Sequence, residues 1–277
     1  MAKIEWDKTG EHFYQTGTDH GVLYVGRLDN TAEDTGTKYG TGVAWNGLTA
    51  VTESPSGAEA NPMYADNIKY LNLFSVEEFG ATIEAYTYPE EFEACDGINN
   101  VGGVKVYGQA RKEFAFCYRT LVGNDTDPAT PSDRHSIIHL VYGAKASPAE
   151  RAYTTVNDSP EAMTLSWEIT TVPEKETIDG VECIYAHLEI DLSKKQAGST
   201  DKYVVGDKAK QALFDFLYGG TSTDAKIPTL AKLKELLATS ETSSASGGSG
   251  DQGGSGDQGG SGDQGDGGKW GHEATQG

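Results

Sequence analysis

The sequence predicts a mainly β (α+β) domain with one or two flanking helices. Several segments alternate apolar and polar residues with the period of two that is typical of a strand with one buried face. The aromatic residues, 8 Phe, 14 Tyr and 4 Trp among 277 residues, suit a β-rich protein. One segment near residue 210 has the apolar spacing of an amphipathic helix. From about Ser240 onward apolar residues are almost absent, so roughly 240 residues remain to form a core.

The clearest strand lies within Glu78–Tyr88. Its small and aliphatic residues fall on one face, and its polar and tyrosine residues fall on the other. Pro89 fixes φ and has no amide hydrogen to donate to a neighbouring strand, so the strand must end there. The residues from Pro89 to Cys95 are predicted to form a short acidic helical turn, which Asp96-Gly97 stops.

Further extended segments are predicted along the chain, and they are His20–Leu28, Val43–Glu53, Asn61–Leu73, Glu113–Val122, Ser136–Ala144, Met163–Val172 and Glu182–Leu192. Within the second of these, Asn46-Gly47 is a strong hairpin signal. The third is predicted to be a turn leading into an extended segment. Ser136–Ala144 is apolar on both faces and is therefore predicted to be a central strand. The last alternates throughout, with every second residue from Ile184 to Leu192 facing inwards.

Two helices are predicted near the end of the folded part. Apolar residues recur at i, i+3, i+4, i+7 and i+8 from Ala209 to Leu217. Asp207 is the predicted cap of this helix, and the glycines at 219 and 220 end it. A second, shorter helix is predicted over Thr229–Ala238, where four leucines have helical spacing.

The chain divides into four parts by composition. Residues 1–19 are predicted to form an N-terminal arm, and residues 20–240 form the folded domain. Residues 241–268 are a Gly/Ser/Asp linker with three GGSGDQ repeats, which we expect to be disordered because such sequence buries too little surface. Residues 269–277 form a terminal peptide. We expect neither a signal peptide nor a membrane span, since no apolar run approaches the necessary length.

The formal net charge is −20, and the folded part is itself acidic. This argues against a nucleic-acid-binding surface, which would be basic. It is compatible with a surface along which nucleic acid slides without sticking. Cys95, Cys117 and Cys183 are odd in number and form no CxxC pair, so we expect three reduced thiols in or near a core.

We expect no catalytic, cofactor-binding or metal site, and no enzyme activity. His135 and His139 are four residues apart, as in HExxH, but in a strand such residues stand about 13 Å apart and cannot share one zinc ion. The adjacent carboxylates at 77–78 and at 90–91 are predicted to be solvated. The fingerprints of serine hydrolases, P-loop proteins and dinucleotide-binding proteins do not occur.

Several phrases of the sequence resemble the major tail protein, or tail tube protein, of long-tailed, siphovirus-like bacteriophages and prophages of Gram-positive hosts. They are YADNIKYLNL (Tyr64–Leu73), EFGATIEAYTYPEEFEACDG (Glu78–Gly97), FCYRTLVGNDT (Phe116–Thr126), HLVYGAKASPAERAY (His139–Tyr153) and NDSPEAMTLSWEITTVP (Asn157–Pro173). The resemblance covers roughly residues 10–235 in order, and the linker and terminal peptide lie outside it.

The resemblance implies a tail-tube-type β-sandwich or partial barrel, flanked by one or two helices. It implies assembly of the chain with itself into hexameric rings, which stack into a tube with a β-barrel lumen. The implied partners are the tape measure protein, the tail terminator and the distal tail or baseplate proteins. DNA is implied only in transit, without sequence-specific binding, and no membrane is implied. The implied location is the virion tail, after synthesis in the host bacterial cytoplasm.

Two sets of residues are candidates for assembly within that framework. Polar strand faces are candidates for the lumen or for contacts between subunits, and their residues are Thr82, Glu84, Tyr86, Thr164, Ser166 and Glu168. An exposed loop is a candidate for contacts between rings, and its residues are Ser54, Pro55, Ser56, Gly57 and Glu59. The long loop Asp29–Gly42 and the N-terminal arm are further candidates for ring contacts. An acidic lumen would repel DNA phosphates and let the genome slide.

Two other functions stay open at this point. The first is a monomeric β-sandwich binding module, displayed on a virion or cell surface and tethered by the linker. The second is a hydrolase whose acidic residues are not recognisable as a pair in the sequence. Polymerisation of the purified chain into hollow tubes distinguishes the tail tube from both.

Overall fold

The structure is a computed structural model that describes residues 6–28, 36–126, 128, 135–156, 158–159, 161–196 and 202–238. The strands are β1 (Tyr14–Val25), β2 (Gly42–Trp45), β3 (Leu48–Glu53), β4 (Ala60–Ala65), β5 (Ile68–Phe74), β6 (Gly80–Ala85), β7 (Asn99–Val101), β8 (Val104–Val106), β9 (Phe114–Gly123), β10 (Ser136–Ala146), β11 (Leu165–Thr171), β12 (Glu174–Ile178), β13 (Val181–Tyr185) and β14 (His187–Asp191). The helices are α1 (Asp207–Leu217) and α2 (Leu230–Leu237). The chain is therefore mainly β with flanking helices, as the sequence predicts.

One curled antiparallel sheet organises the described residues. Its strands follow the order β2-β1-β9-β10-β11-β6-β3, and β14 also pairs with β10. The outermost strands, β2 and β3, are joined by Asn46-Gly47 alone. The predicted hairpin at Asn46-Gly47 is wrong, because β2 pairs with β1 whereas β3 pairs with β6. Instead, the Gly47 carbonyl accepts a hydrogen bond from the Tyr86 amide, which fixes the crossing between the two edges.

The sheet has a separate core on each of its two faces. The inner core lies inside the curl and includes Leu23, Trp45, Ile83, Phe92, Phe114, Phe116, Leu165 and Trp167. The outer core lies between the sheet and the helices and includes Val22, Tyr24, Ile138, Leu140, Tyr142, Ala209, Leu213 and Leu217. Strands β9 and β10 contribute to both cores, which confirms the prediction of a central strand at Ser136–Ala144.

Strand β10 changes partners at Gly143. Before this residue, one edge of β10 pairs with β14, and after it the same edge pairs with β11. Gly143 has φ +62°, and a Cβ there would overlap the Val172 carbonyl oxygen, so the position requires glycine. Its amide donates to the Tyr39 hydroxyl at 2.8 Å. We call this position, where one edge of β10 passes from β14 to β11, the fork in β10.

The helices match their predicted positions, with one difference at a cap. The N-cap of α1 is Gly206, so Asp207 is the first helical residue and not the cap; there its charge still favours the positive helix terminus. Gly219 follows the helix with φ +83°. Thr229 caps α2 by accepting a hydrogen bond from the Lys232 amide. The short acidic turn is also confirmed, as a 3-10 helix over Glu90–Ala94.

The predicted strand Glu182–Leu192 is two strands. The first, β13, pairs with β12, and the second, β14, pairs with β10; Ala186 separates them. The inward phase shifts at this change: Ile184 is exposed and Tyr185 is buried, whereas Ile190 and Leu192 are buried as predicted. An uninterrupted alternation in the sequence cannot reveal that a strand changes sheets.

The predicted extended segment Asn61–Leu73 is a hairpin. Strands β4 and β5 pair with each other around Asp66-Asn67, whose φ angles of +51° and +62° are those of a two-residue hairpin turn. The hairpin continues the β3–β6 pair outwards, because Ser54 bonds to Gly80 and Ser56 exchanges two backbone hydrogen bonds with Glu78. Residues 48–85 therefore form one long two-stranded extension, and its base, β3 with β6, belongs to the sheet.

Some of the predicted segments differ in extent or are only partly described. Strand β1 begins at Tyr14, so it includes the last residues of the predicted arm. Residues 1–5 of the arm, 29–35 of the long loop, the linker 241–268 and the terminal peptide 269–277 lie outside the described residues. Cys95 and Cys117 are buried, Cys183 is partly buried, and all three are free thiols, as predicted.

Candidate functional site

The two predicted polar faces form one surface. In the antiparallel pair of β6 and β11, Glu84 lies opposite Ser166 and Thr82 lies opposite Glu168. The alternate residues of these strands, such as Ile83 and Trp167, fill the inner core, and this fixes which side chains face outwards. We call this surface of β11, β6 and β3 the polar face.

Two of the predicted residues lie at the ends of this face. Tyr86 follows β6 and Thr164 precedes β11, and both are exposed. Thr82, Glu84 and Ser166 are partly exposed, whereas Glu168 is exposed. Lys145 of β10 lies opposite Thr170 at the border of the face, so the face is not purely acidic.

The hairpin of β4 and β5 exposes large apolar side chains along its whole length. We call this surface the apolar ribbon, and its residues are Met63, Tyr64, Ile68, Tyr70, Leu71, Leu73, Phe74 and Val76. Every residue of β4 and β5 is exposed. A two-stranded hairpin is marginal by itself in water, and apolar patches of this kind are typical of surfaces that bind another molecule. The sequence shows the residue types but not their exposure on both faces.

The predicted ring-contact loop is the base of this ribbon. Its backbone forms hydrogen bonds with the segment that follows β5, and the bonded pairs are Ser54 with Gly80, Ser56 with Glu78 and Glu59 with Ser75. Gly57 has φ +85°, and a Cβ there would overlap the Val76 carbonyl oxygen. The loop residues Ser54, Pro55, Ser56, Gly57 and Glu59 are all exposed. The structure thus brings them next to the apolar ribbon and not into a separate loop.

The described half of the long loop Asp29–Gly42 turns inwards. The Tyr39 hydroxyl donates to the buried carboxylate of Glu174 at 2.9 Å, and Arg27 and Lys38 bind the same carboxylate at 2.7 and 3.1 Å. Two cations and a hydroxyl therefore compensate one buried charge. This half of the loop therefore anchors the fold from within.

Two histidines and two glutamates meet at the open end of the inner core. We call this group the histidine–carboxylate cluster, and its residues are Glu53, His139, His187 and Glu189. The Nδ1 atom of His139 lies 3.2 Å from Nε2 of His187. It also lies 3.5 Å from Glu53 Oε1 and 3.7 Å from Glu189 Oε1. Glu53 Oε1 lies 3.9 Å from His187 Nε2.

Three strands position this cluster. His139 of β10 lies opposite Glu189 of β14, and His187 is two residues before Glu189 and so projects from the same face. Glu53 ends β3, across the curl. The side chain of His139 is 4% exposed and that of Glu189 is 53% exposed, so the cluster has a buried end and an open end.

Nε2 of His139 lies 3.0 Å from the Thr120 hydroxyl, which also donates to Gln15 Oε1 at 3.3 Å. In the tautomer that carries its proton on Nε2, the Thr120 oxygen accepts from His139 and the Nδ1 lone pair faces the cluster. Burial and the neighbouring His187 ring lower the pKa of His139 to about 4, despite the opposing effect of Glu53.

Burial also lowers the pKa of His187, against the opposing effect of Glu53 and Glu189. The HSIIH spacing excluded His135 as a partner of His139 in one metal site, and the neighbours that His139 has in the cluster come from other strands. The HLE triplet, His187–Glu189, was the local signal, since residues i and i+2 share one face of a strand.

The remaining candidates show no further chemistry. The carboxylates at 77–78 and 90–91 are exposed, as predicted. In the part of the chain that the structure describes, the histidine–carboxylate cluster is the one place where three or more potential metal ligands converge. The described helices are too short and too polar to cross a membrane.

No family model matches the chain, and no curated protein matches its sequence. A chain of the anti-feeding prophage (AFP) baseplate shares 6% identity over 68% of this chain and 99% of its own, with a TM-score of 0.28. A chain of the sheath–tube complex of the PVC extracellular contractile injection system, in its extended state, shares 12% identity over 66% of this chain and 94% of its own, with a TM-score of 0.25. A chain of the sheath/tube terminator of that system, also in the extended state, shares 11% identity over 66% of this chain and 100% of its own, with a TM-score of 0.25. TM-scores this low do not establish a shared fold.

Proposed function

We propose that this chain is a structural virion protein, the major tail protein of a long-tailed, siphovirus-like phage or prophage of a Gram-positive host. Its copies assemble into stacked hexameric rings that form the tail tube, the conduit for DNA ejection. The sequence resemblance over roughly residues 10–235 supports this function. The single structural observation that supports it is the apolar ribbon, which needs a covering partner.

A second copy of the chain is the partner that fits the ribbon best. The chain has a net charge of −20, so copies repel one another at a distance and need a strong apolar contact to associate. The ribbon supplies Leu71, Leu73 and Phe74 for such a contact. Burying each such side chain contributes about 1.5–3 kcal/mol. Repeated around a ring, these contacts offset the electrostatic repulsion.

The polar face is assigned to the lumen in this proposal. Its side chains are hydroxyls and carboxylates, which suit a water-filled channel better than a tight contact between subunits. Glu84 and Glu168 give it local negative charge that repels DNA phosphates. The tape measure protein, the tail terminator and the distal tail or baseplate proteins are the further partners that this function requires, and the virion tail is its location.

The experiment is assembly of the full-length chain, followed by size exclusion and negative-stain microscopy. We expect rings or hollow tubes. Phe74→Glu places a charge on the ribbon and is expected to leave monomers with an unchanged Tm. Val181→Glu is the matched control, because Val181 is 63% exposed and Phe74 is 68% exposed, but Val181 lies on another hairpin.

The outcomes separate the candidate functions. A wild-type chain that stays monomeric at all concentrations overturns the tail tube and favours the monomeric binding module. Tubes formed equally well by Phe74→Glu show that the ribbon is not the contact, even though the chain assembles. Cryo-EM of the tubes then tests the polar face: a lumen lined by lysine and arginine contradicts the electrostatic role.

A further inference from the structure

We propose that the histidine–carboxylate cluster is a binding site for one divalent transition-metal ion, with zinc the best match. This site is independent of the tail tube function and was not expected from the sequence. The donor set, two imidazole nitrogens and two carboxylate oxygens, is one that zinc commonly accepts.

The distances within the cluster fit one ion. Donors about 2.0–2.2 Å from a tetrahedral zinc ion lie about 3.3–3.6 Å from one another. The four distances given above span 3.2 to 3.9 Å. All four donor atoms lie within 4.8 Å of one another. The pairs without a stated distance lie within the same 4.8 Å, so side-chain adjustments of about an ångström or less bring the donors around one ion.

The donors of the cluster also suit a cation. Nδ1 of His139 lies close to two carboxylates and a second imidazole nitrogen, and all of these groups can donate an electron pair to a metal ion. One divalent ion neutralises both charges and accepts all four donors.

The surroundings of the cluster resemble the outer shell of a metal site. Thr120 holds the far nitrogen of His139, which leaves Nδ1 as the ligand atom. The Tyr118 hydroxyl donates to Glu53 at 2.5 Å and orients that carboxylate. Such outer partners typically strengthen metal binding by about 10–100-fold. The exposed side of Glu189 gives an ion a path from solvent.

An ion here would join the two layers of the curled sheet. Glu53 comes from β3 in one layer, and His139 comes from β10 in the other. The metal would therefore act structurally, as a link across the open end of the inner core. Catalysis is not part of this role, because all four positions around the ion are taken by the protein.

The test uses the full-length chain without an affinity tag, with Zn²⁺ and Co²⁺ as probes. After dialysis against a weak chelator, we expect one equivalent of zinc per chain. With Co²⁺ we expect the strong visible absorption of a four-coordinate ion. Free zinc at about a hundred times its Kd is expected to raise the Tm by roughly 5–10 °C.

Variants decide whether the cluster is responsible. Glu189→Gln and His187→Gln are expected to abolish the retained zinc and the Co²⁺ absorption. Tyr118→Phe is expected to weaken zinc binding by about 10–100-fold. Glu182→Gln, at an exposed glutamate of β13, is the matched control and is expected to bind as the wild type does.

The proposal is overturned by either of two results. The first is a wild-type chain that retains no zinc and shows no shift of Tm. The second is zinc retained equally by Glu189→Gln and His187→Gln, which would assign the metal to another part of the chain. The wild-type Co²⁺ spectrum and zinc content decide the first result by themselves, so misfolding of a variant does not affect that test.

Discussion

The β9–β10 centre and the apolar ribbon use similar residues in opposite ways. Both are antiparallel β structure with aliphatic and aromatic side chains. Strand β10 is buried at all but one of its positions, whereas every position of β4 and β5 is exposed. The centre therefore holds the fold together, whereas the ribbon adds little to it and, in the proposed assembly, contacts another copy. Apolar content alone does not say which task a strand performs.

The largest expected effect is on the centre. Leu140→Ala removes a fully buried side chain from the outer core. We expect the free energy of unfolding to fall by about 2–5 kcal/mol, because the substitution loses burial and leaves a cavity. Denaturant unfolding of the chain under non-assembling conditions measures this. A loss below about 1 kcal/mol would contradict the central role of β10.

The next largest effect on stability is expected at Gly143, the fork in β10. Gly143→Ala adds a Cβ against the Val172 carbonyl oxygen at a positive φ, and we expect a loss of about 2–4 kcal/mol. Gly102→Ala is the control, because Gly102 has φ +59° with no atom within 4 Å of a Cβ. Equal losses in the two variants would show that φ alone matters and not the close approach.

The third largest effect on stability is expected at the buried carboxylate of Glu174. Glu174→Gln keeps the shape but removes the charge that Arg27, Lys38 and Tyr39 surround. We expect a loss of about 1–3 kcal/mol, since the donors lose a charged acceptor. Thermal unfolding measures it, beside Glu182→Gln as an exposed control. An unchanged Tm would mean that solvent replaces the carboxylate without cost.

The ribbon gives the smallest effect on the monomer. Leu73→Ala is chemically the same change as Leu140→Ala, but at an exposed side chain. We expect the free energy of unfolding to change by at most about 0.5 kcal/mol. The critical concentration for assembly should instead rise by roughly 10–100-fold, if a contact buries this leucine. Sedimentation of assembled material measures the difference, and an unchanged critical concentration would remove Leu73 from the interface.

Periodicity predicted the elements that lie within one layer. The alternation in Glu78–Tyr88 and Met163–Val172 identified the buried faces of β6 and β11, and the helical spacing of apolar residues identified both helices. These elements keep one neighbour on each side, so a local pattern describes them fully. The polar face was predicted for the same reason, since the outward residues are the complement of the inward ones.

The features that periodicity missed depend on changes of partner. The break at Ala186 and the turn at Asp66-Asn67 each separate two strands that look continuous in the sequence, and at Gly143 the single strand β10 changes its partner. The histidine–carboxylate cluster depends on three strands that meet only after the sheet curls. Its residues are far apart in the chain, so spacing between histidines could not predict it.

The Asn46-Gly47 connection has a consequence for how the sheet opens. From Trp45 to Leu48 the chain can reach at most about 11 Å, so the joined ends of β2 and β3 stay close together. In an open sheet each edge strand frays independently, and its amides exchange with solvent at their own rate. Here the two edges are tethered to each other, so the opening of one pulls on the other. Amide hydrogens of β2 and β3 should therefore become accessible in a single event.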